Sequence, residues 1–117
     1  MNRAIKFYTK TLGGKLVERA TGDMKDMWAS IRIGKTSFWL GPRDPKLKKL
    51  DYTFNTFIVK NIKREVRDLA KRGAKFQKAE KSMPGSKVDG PIEFTDFGAS
   101  AFFNDSEGNL LMIWQNA

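Results

Sequence analysis

The chain contains no cysteine and no histidine. Without a thiol it has no disulfide, thiolate nucleophile or iron–sulfur ligation. Without an imidazole it has no serine–histidine triad, no Cys/His zinc site and no side chain that titrates unassisted near neutral pH. There is no apolar run near the length of a membrane span, and no basic start followed by an apolar stretch of the signal-peptide kind. Acidic residues are in the minority, 13 Asp plus Glu against 22 Lys plus Arg, for a net charge of +9. That excess favours anionic partners in a general way, and the same Lys-rich, cysteine-free composition also fits a heat-adapted protein. What the 117 residues do have is nine Phe and three Trp. A chain of this size buries roughly two thirds of its unfolded surface, so these rings can supply a core. The expectation is one soluble cytoplasmic domain without a membrane partner.

Two helical segments stand in a sixty-residue repeat. Ala4, Ile5, Tyr8 and Leu12 have helical spacing over Asn2 to Leu12, and Gly13 stands where a left-handed stop is wanted. In the second, Asn61 is a good N-cap, Ile62, Val66, Leu69 and Ala70 form an apolar stripe, and Gly73 closes it. Extended segments follow each helix: Lys15 to Ala20, Met27 to Gly34 and Ser37 to Leu40, then Lys75 to Glu80, Ile92 to Asp96, Ser100 to Asn104 and Leu110 to Gln115. Ile92 to Asn104 reads either as two strands or as one bent at Gly98. The strand Tyr52 to Val59 feeds the second helix, and the repeat places its counterpart before Met1. The first module is therefore expected to lack its first strand. Module one is 1–41, a linker with Pro42, Pro45 and a lysine-rich run is 42–50, and module two is 51–117.

Alternation assigns faces. Met27, Ala29, Ile31 and Ile33 are expected to face the helix layer, with Trp28, Ser30 and Arg32 turned away. The last strand is apolar on both sides, Leu111 and Ile113 on one and Leu110, Met112 and Trp114 on the other, so both sides should be covered.

Three stretches carry a family resemblance. Arg3 to Gly14 (RAIKFYTKTLGG) resembles the first helix of the vicinal oxygen chelate superfamily, which includes glyoxalase I, extradiol dioxygenases and bleomycin-resistance proteins. Phe102 to Met112 (FFNDSEGNLLM) resembles its closing turn and strand, and Phe57 to Ile62 (FIVKNI) its strand-to-helix junction. The resemblance implies an α+β fold of paired βαβββ modules, a curved mixed sheet around a cup that holds a metal or a small molecule. It also implies which positions ligate a metal in metal-using members. Here the usual His of the strand before the second helix falls on Phe54, the closing-strand Glu on Met112, and the position on Ser37 to Leu40 on Trp39 by analogy. The fourth lies on the strand expected to be lacking. One side chain cannot hold a divalent cation that needs several N or O ligands, so neither metal nor cofactor is expected.

The candidate ligand site is Trp28, Arg32, Trp39, Phe54, Met112 and Trp114, where a flat apolar ligand would stack on Trp and pair its carboxylate or phosphate with Arg32. The same residues would serve equally as a packed apolar surface, and Arg32 as a solvated strand residue. The lysine run Lys46 to Lys49 reads as a solvated linker or a phosphate contact; no nucleic-acid motif accompanies it, so nucleic acid is not expected as a partner. Glu93 and Asp96 are general bases if buried and ordinary strand carboxylates if exposed. Asp105 with Gly108 and Asn109 reads as turn chemistry, and the loop Lys81 to Pro91 as a lid or a connection.

The resulting expectation is a metal-free binding protein, rather than an enzyme, for a neutral or anionic aromatic ligand. Bleomycin itself, being cationic, fits a basic protein poorly. The alternatives are a metal-dependent lyase, epimerase or dioxygenase of the same superfamily, and an interaction module whose cup is an intersubunit core. A homodimer or rearranged strand pairing is expected to cover the sheet edge beside Ser37 to Leu40.

Overall fold

The computed structural model describes residues 1–42 and 55–117. It consists of two units: Met1–Leu50 together with Asp105–Glu107, and Asp51–Asn104 together with Gly108–Ala117.

In the first unit, helix α1 (Asn2–Lys6) runs directly into a π-helical turn, Phe7–Thr11, closed by the Leu12 amide on the Phe7 carbonyl at 3.1 Å. The single α-helix expected over Asn2 to Leu12 is therefore widened in its second half. Thr9 contributes, because its hydroxyl donates to the Ile5 carbonyl at 2.7 Å and competes with the regular ladder. The chain leaves through Gly13 at φ +75°, and the Gly14 amide turns back to the Tyr8 carbonyl at 2.9 Å. At Gly14 a Cβ would stand 2.8 Å from that same carbonyl, so only glycine permits the approach.

Three antiparallel strands follow, β1 (Lys15–Arg19), β2 (Ala29–Ile33) and β3 (Thr36–Leu40), in that spatial order. Ile31 stands opposite Leu16 and Phe38, and Ser30 opposite Trp39. Ala29 and Ile31 are fully buried, and Phe38 meets the Tyr8 ring edge-on at 5.2 Å, so this face looks toward the helical turn. The expected alternation holds from Ala29 onward. Met27 departs from it: its amide bonds the Met24 carbonyl at 2.9 Å, which keeps it in the turn before β2, and it is exposed.

Tyr8 is the buried centre of this unit. Its hydroxyl donates to Asp105 Oδ2 at 2.7 Å, while Asp105 Oδ1 accepts the Glu107 amide at 2.9 Å. Burial, and then the hydrogen bond to Asp105, hold the phenol protonated well above its ordinary range. Asp105 thus closes its turn, as its sequence context suggests, and also fixes Tyr8. Nearby, Arg3 grips Glu107 with both ends of its fork, at 2.8 and 2.9 Å.

The second unit is a five-stranded sheet in the order β4 (Asn55–Ile58), β8 (Leu110–Asn116), β7 (Gly98–Asn104), β6 (Ile92–Thr95), β5 (Lys87–Asp89). β4 runs parallel to β8 and all other pairs are antiparallel. Helix α2 (Ile62–Lys71) connects β4 to the rest. Asn61 caps it by accepting the Arg64 amide at 3.1 Å, and Gln115 Oε1 accepts the Ile62 amide at 2.8 Å. Ile62 and Leu69 are buried against the sheet, but Ala70 is exposed, since it lies about 80° around the helix from Ile62. Gly73 ends the helix at φ +102°. Phe103, Leu111 and Ile113 form the core beneath α2, and burying each stabilises the fold by about 1.5–3 kcal/mol.

Gly98, at φ +150°, separates β6 from β7 as two strands. A Cβ there would run into the Gln115 carbonyl and stand 2.6 Å from the Trp114 ring. The strand expected at Lys75 to Glu80 is reduced to one bridge between Phe76 and Phe103, with the Gln77 amide on the Phe102 carbonyl at 2.8 Å. Its edge of the sheet is occupied instead by β6, and β5 forms inside the expected loop. Beyond Pro42, the expected linker and Lys46 to Lys49 lie outside the described residues.

The Arg3 guanidinium holds the Glu107 carboxyl down at about 2, from 4.5. A carboxylate with a depressed folded-state value contributes stability above its unfolded value and loses it as pH falls toward the folded one. Stability is therefore expected to drop between about pH 4.5 and 2. In urea titrations across that window, Glu107→Gln should flatten the drop, and an unchanged slope would refute the assignment.

Candidate functional site

Among the described residues, one face of each sheet carries no helix of its own unit. In the first unit that face presents Trp28, Ser30, Arg32, Ser37 and Trp39. The rings of Trp28 and Trp39 stack, 5.7 Å between centroids and 27° between planes. Trp39 is 76% exposed, an unusual position for the largest apolar side chain. Arg32 is also exposed, with Ser37 and Lys15 opposite it on the neighbouring strands. Three of the six residues named from the sequence therefore share one surface.

In the second unit Met112 stands between Thr56 and Phe102, and Trp114 between Ile58 and Ser100. Met112 and Trp114 are two residues apart on β8 and so share the helix-free face. Both are half-buried. The Trp114 indole N–H donates to Asn116 Oδ1 at 2.8 Å, and its ring lies over Gly98, where a side chain would displace it. Phe54 lies outside the described residues.

A divalent metal does not suit the positions that the resemblance assigns to its ligands. Met112 offers a thioether and Trp39 an indole N–H, which is a donor only, where a hard or borderline cation needs N or O acceptors. Among the described residues, no three His, Cys, Asp or Glu side chains are grouped so as to hold an ion.

The same face of the second sheet carries a cavity of about 500 Å³. Glu93, Ser100 and Phe102 line it from β6 and β7, and the passing segment from Gln77 to Glu80, with Ser82 and Pro91, closes round it. None of the five described residues among the six named from the sequence lines this cavity. Glu93 is only 7% exposed. Its Oε2 accepts the Ser82 amide at 2.5 Å and its Oε1 the Ser82 hydroxyl at 2.7 Å. Those two bonds hold the carboxyl below its ordinary range; the buried Ser86 hydroxyl acts in the same direction without meeting the geometry of a hydrogen bond. Of the two readings open for Glu93, the buried one is correct, but an ionised carboxylate satisfied in this way is a weak base. Asp96 is exposed. The loop Lys81 to Pro91 is held to the sheet at Ser82 and is stiffened by β5. Neither Ser82 nor the cavity was legible beforehand, because eleven residues separate Ser82 from Glu93 and no local pattern links them.

A helix followed by antiparallel strands in one unit, and a strand–helix–sheet unit after it, define a protein of the βαβββ-repeat class. The model of the Glyoxalase/Bleomycin resistance protein/Dioxygenase superfamily matches residues 1–113, and the chain belongs to that superfamily. Among solved structures it is similar to TnmS3, an antibiotic binding protein from Streptomyces sp. CB03234, at 20% identity and TM-score 0.69, covering 99% of this chain and 86% of that one. It is also similar to a glyoxalase family protein from Bacillus anthracis, at 16% identity and TM-score 0.70, covering 99% and 84%. A glyoxylase/bleomycin resistance protein/dioxygenase domain from Frankia sp. EAN1pec matches at 18% identity and TM-score 0.69, covering 100% and 89%. At these identities the likeness is one of fold. No curated protein matches the sequence.

Whether the tryptophan pair is packing or platform can be separated by stability. An exposed ring that serves a ligand contributes little to folding, so Trp39→Ala should change the unfolding free energy by less than about 0.5 kcal/mol. A loss of about 2 kcal/mol or more in denaturant unfolding would make the pair part of the core.

Proposed function

We propose that this chain is a metal-free small-molecule-binding protein that takes a neutral or anionic aromatic ligand on the helix-free face of its first sheet. The observation that carries the reading is the Trp28–Trp39 stack with Trp39 76% exposed and Arg32 on the same face. A third flat ring can continue such a stack, and Arg32 supplies a charge-assisted partner for a carboxylate or phosphate. A pocket built mainly of apolar surface with a few placed polar groups is the usual form of a small-molecule site. Met112 and Trp39 at the resemblance's ligand positions favour binding over metal-dependent lyase, epimerase or dioxygenase chemistry. TnmS3 is an antibiotic binding protein on a similar fold, which supports the same direction.

A homodimer and a cytoplasmic location belong to the same proposal. β3 pairs only with β2 among the described residues, and a second copy could occupy its other edge. No helix of the described residues is long and apolar enough to cross a membrane.

Aromatic anions and neutral aromatics screened by thermal shift should include compounds that raise Tm in proportion to ligand occupancy. The same compounds should quench tryptophan fluorescence, and Trp39→Ala should weaken them by about tenfold or more, in line with loss of one stacked ring at about 1–3 kcal/mol. Ligands that bind with Trp39→Ala affinity unchanged would remove the platform from the site. Stoichiometric, tightly held metal in purified protein would contradict the metal-free reading. Sizing at high micromolar concentration should give twice the 13.3 kDa chain mass, and a strictly monomeric species would exclude the dimer.

A further inference from the structure

The cavity of the second unit combines features that the aromatic platform does not use. Its wall holds a buried carboxylate, Glu93, that makes no ion pair among the described residues. Two donors from a single residue, the Ser82 amide and hydroxyl, fix the carboxylate in place, one on each oxygen. An ionised carboxylate has about four lone-pair sites, so two bonds leave acceptor capacity on the side that lines the cavity. Beside it, Phe102 and Pro91 supply apolar surface and Ser100 a buried hydroxyl. An ionised carboxylate at a cavity wall with no ion-pair partner among the described residues favours a cation that can reach it. Lys78 and Glu80, both exposed in the segment that closes the cavity, carry opposite charges and leave Glu93 to set the sign inside.

We infer that this cavity is a binding site for a primary amine or similar compact cation carried on an apolar or aromatic body, with the cation on Glu93 and the body against Phe102 and Pro91. The ammonium group would donate to the carboxylate oxygens and to the Ser100 hydroxyl, and the apolar body would fill the remaining volume of about 500 Å³. The chain's net charge of +9 does not oppose this, because the field that matters is that of the nearest, least hydrated group. The site shares no residue with the Trp28–Trp39 platform, so the two proposals stand or fall separately.

The test uses the full chain, labelled with ¹⁵N, and three probes of one shape: phenethylamine, phenethyl alcohol and hydrocinnamate. The amine is expected to shift the Ser82, Glu93 and Phe102 amides saturably below about 10 mM, the alcohol more weakly and the carboxylate not at all. Glu93→Gln should reduce amine affinity by at least about tenfold, and added salt should weaken binding to the wild type. Amine binding should persist below pH 4.5, the ordinary value from which Glu93 is lowered, and be lost only in stronger acid. Should Glu93→Gln fail to fold, Ser100→Leu fills the cavity without touching the Ser82–Glu93 bonds and should abolish the same shifts. Equal response to all three probes, shifts confined to other residues, an affinity unchanged in either folded variant, or no saturable shift with the amine would each overturn the site. Readout at these amides is independent of tryptophan quenching, so failure here is distinguishable from failure of the platform.

Discussion

Among the described residues, each sheet has one helical segment of its own unit against one face, and the two-residue period of a strand then decides where every side chain goes. In the first unit Ala29, Ile31 and Phe38 go toward Tyr8; in the second Phe103, Leu111 and Ile113 go beneath α2. The residues between them have no helix of their own unit to bury against among the described residues. Trp28, Arg32 and Trp39 in one unit and Glu93, Ser100, Phe102, Met112 and Trp114 in the other are therefore set out on the opposite face of their own sheet. The site is a consequence of how the core is made.

The two units hold their arrangements by different means. In the first, a buried tyrosine spends its one hydroxyl on Asp105, and that hydrogen bond sets the position of the helical turn over the sheet. In the second, the helix is fixed at its entry, where Asn61 and Gln115 take up backbone donors that α2 cannot satisfy itself. The helix-free faces use polar groups too, but for another purpose. Ser82 fixes Glu93 at the wall of a cavity rather than under a helix, and the Trp114 ring is oriented by the absence of a side chain at Gly98.

Much of this was legible in the sequence. Gly13 and Gly73 both exit their helices at positive φ, as their place in the repeat requires, and the parity of Ala29 to Ile33 gave the correct faces of β2. Trp28 and Arg32 could be grouped by the two-residue period of the segment from Met27, and Trp39 joined them through the ligand position that the resemblance assigns to the next strand. Features that depend on distant partners were not legible. A strand glutamate looks the same exposed or buried, and Glu93 is buried because Ser82 folds back onto it from outside the sheet. The π-helical turn was hidden by apolar spacing that suits an α-helix just as well, and the strand expected near Lys75 lost its edge to β6.

The central claim is that ligands use the helix-free faces, where all three tryptophans lie. Incorporating 5-fluorotryptophan gives one ¹⁹F resonance for each of Trp28, Trp39 and Trp114, assigned by single Trp→Phe changes. An aromatic anion that raises Tm is predicted to move the Trp28 and Trp39 resonances together, with saturation at the same concentration as the thermal shift. Stabilisation by a bound aromatic anion that leaves both resonances unmoved would contradict the account.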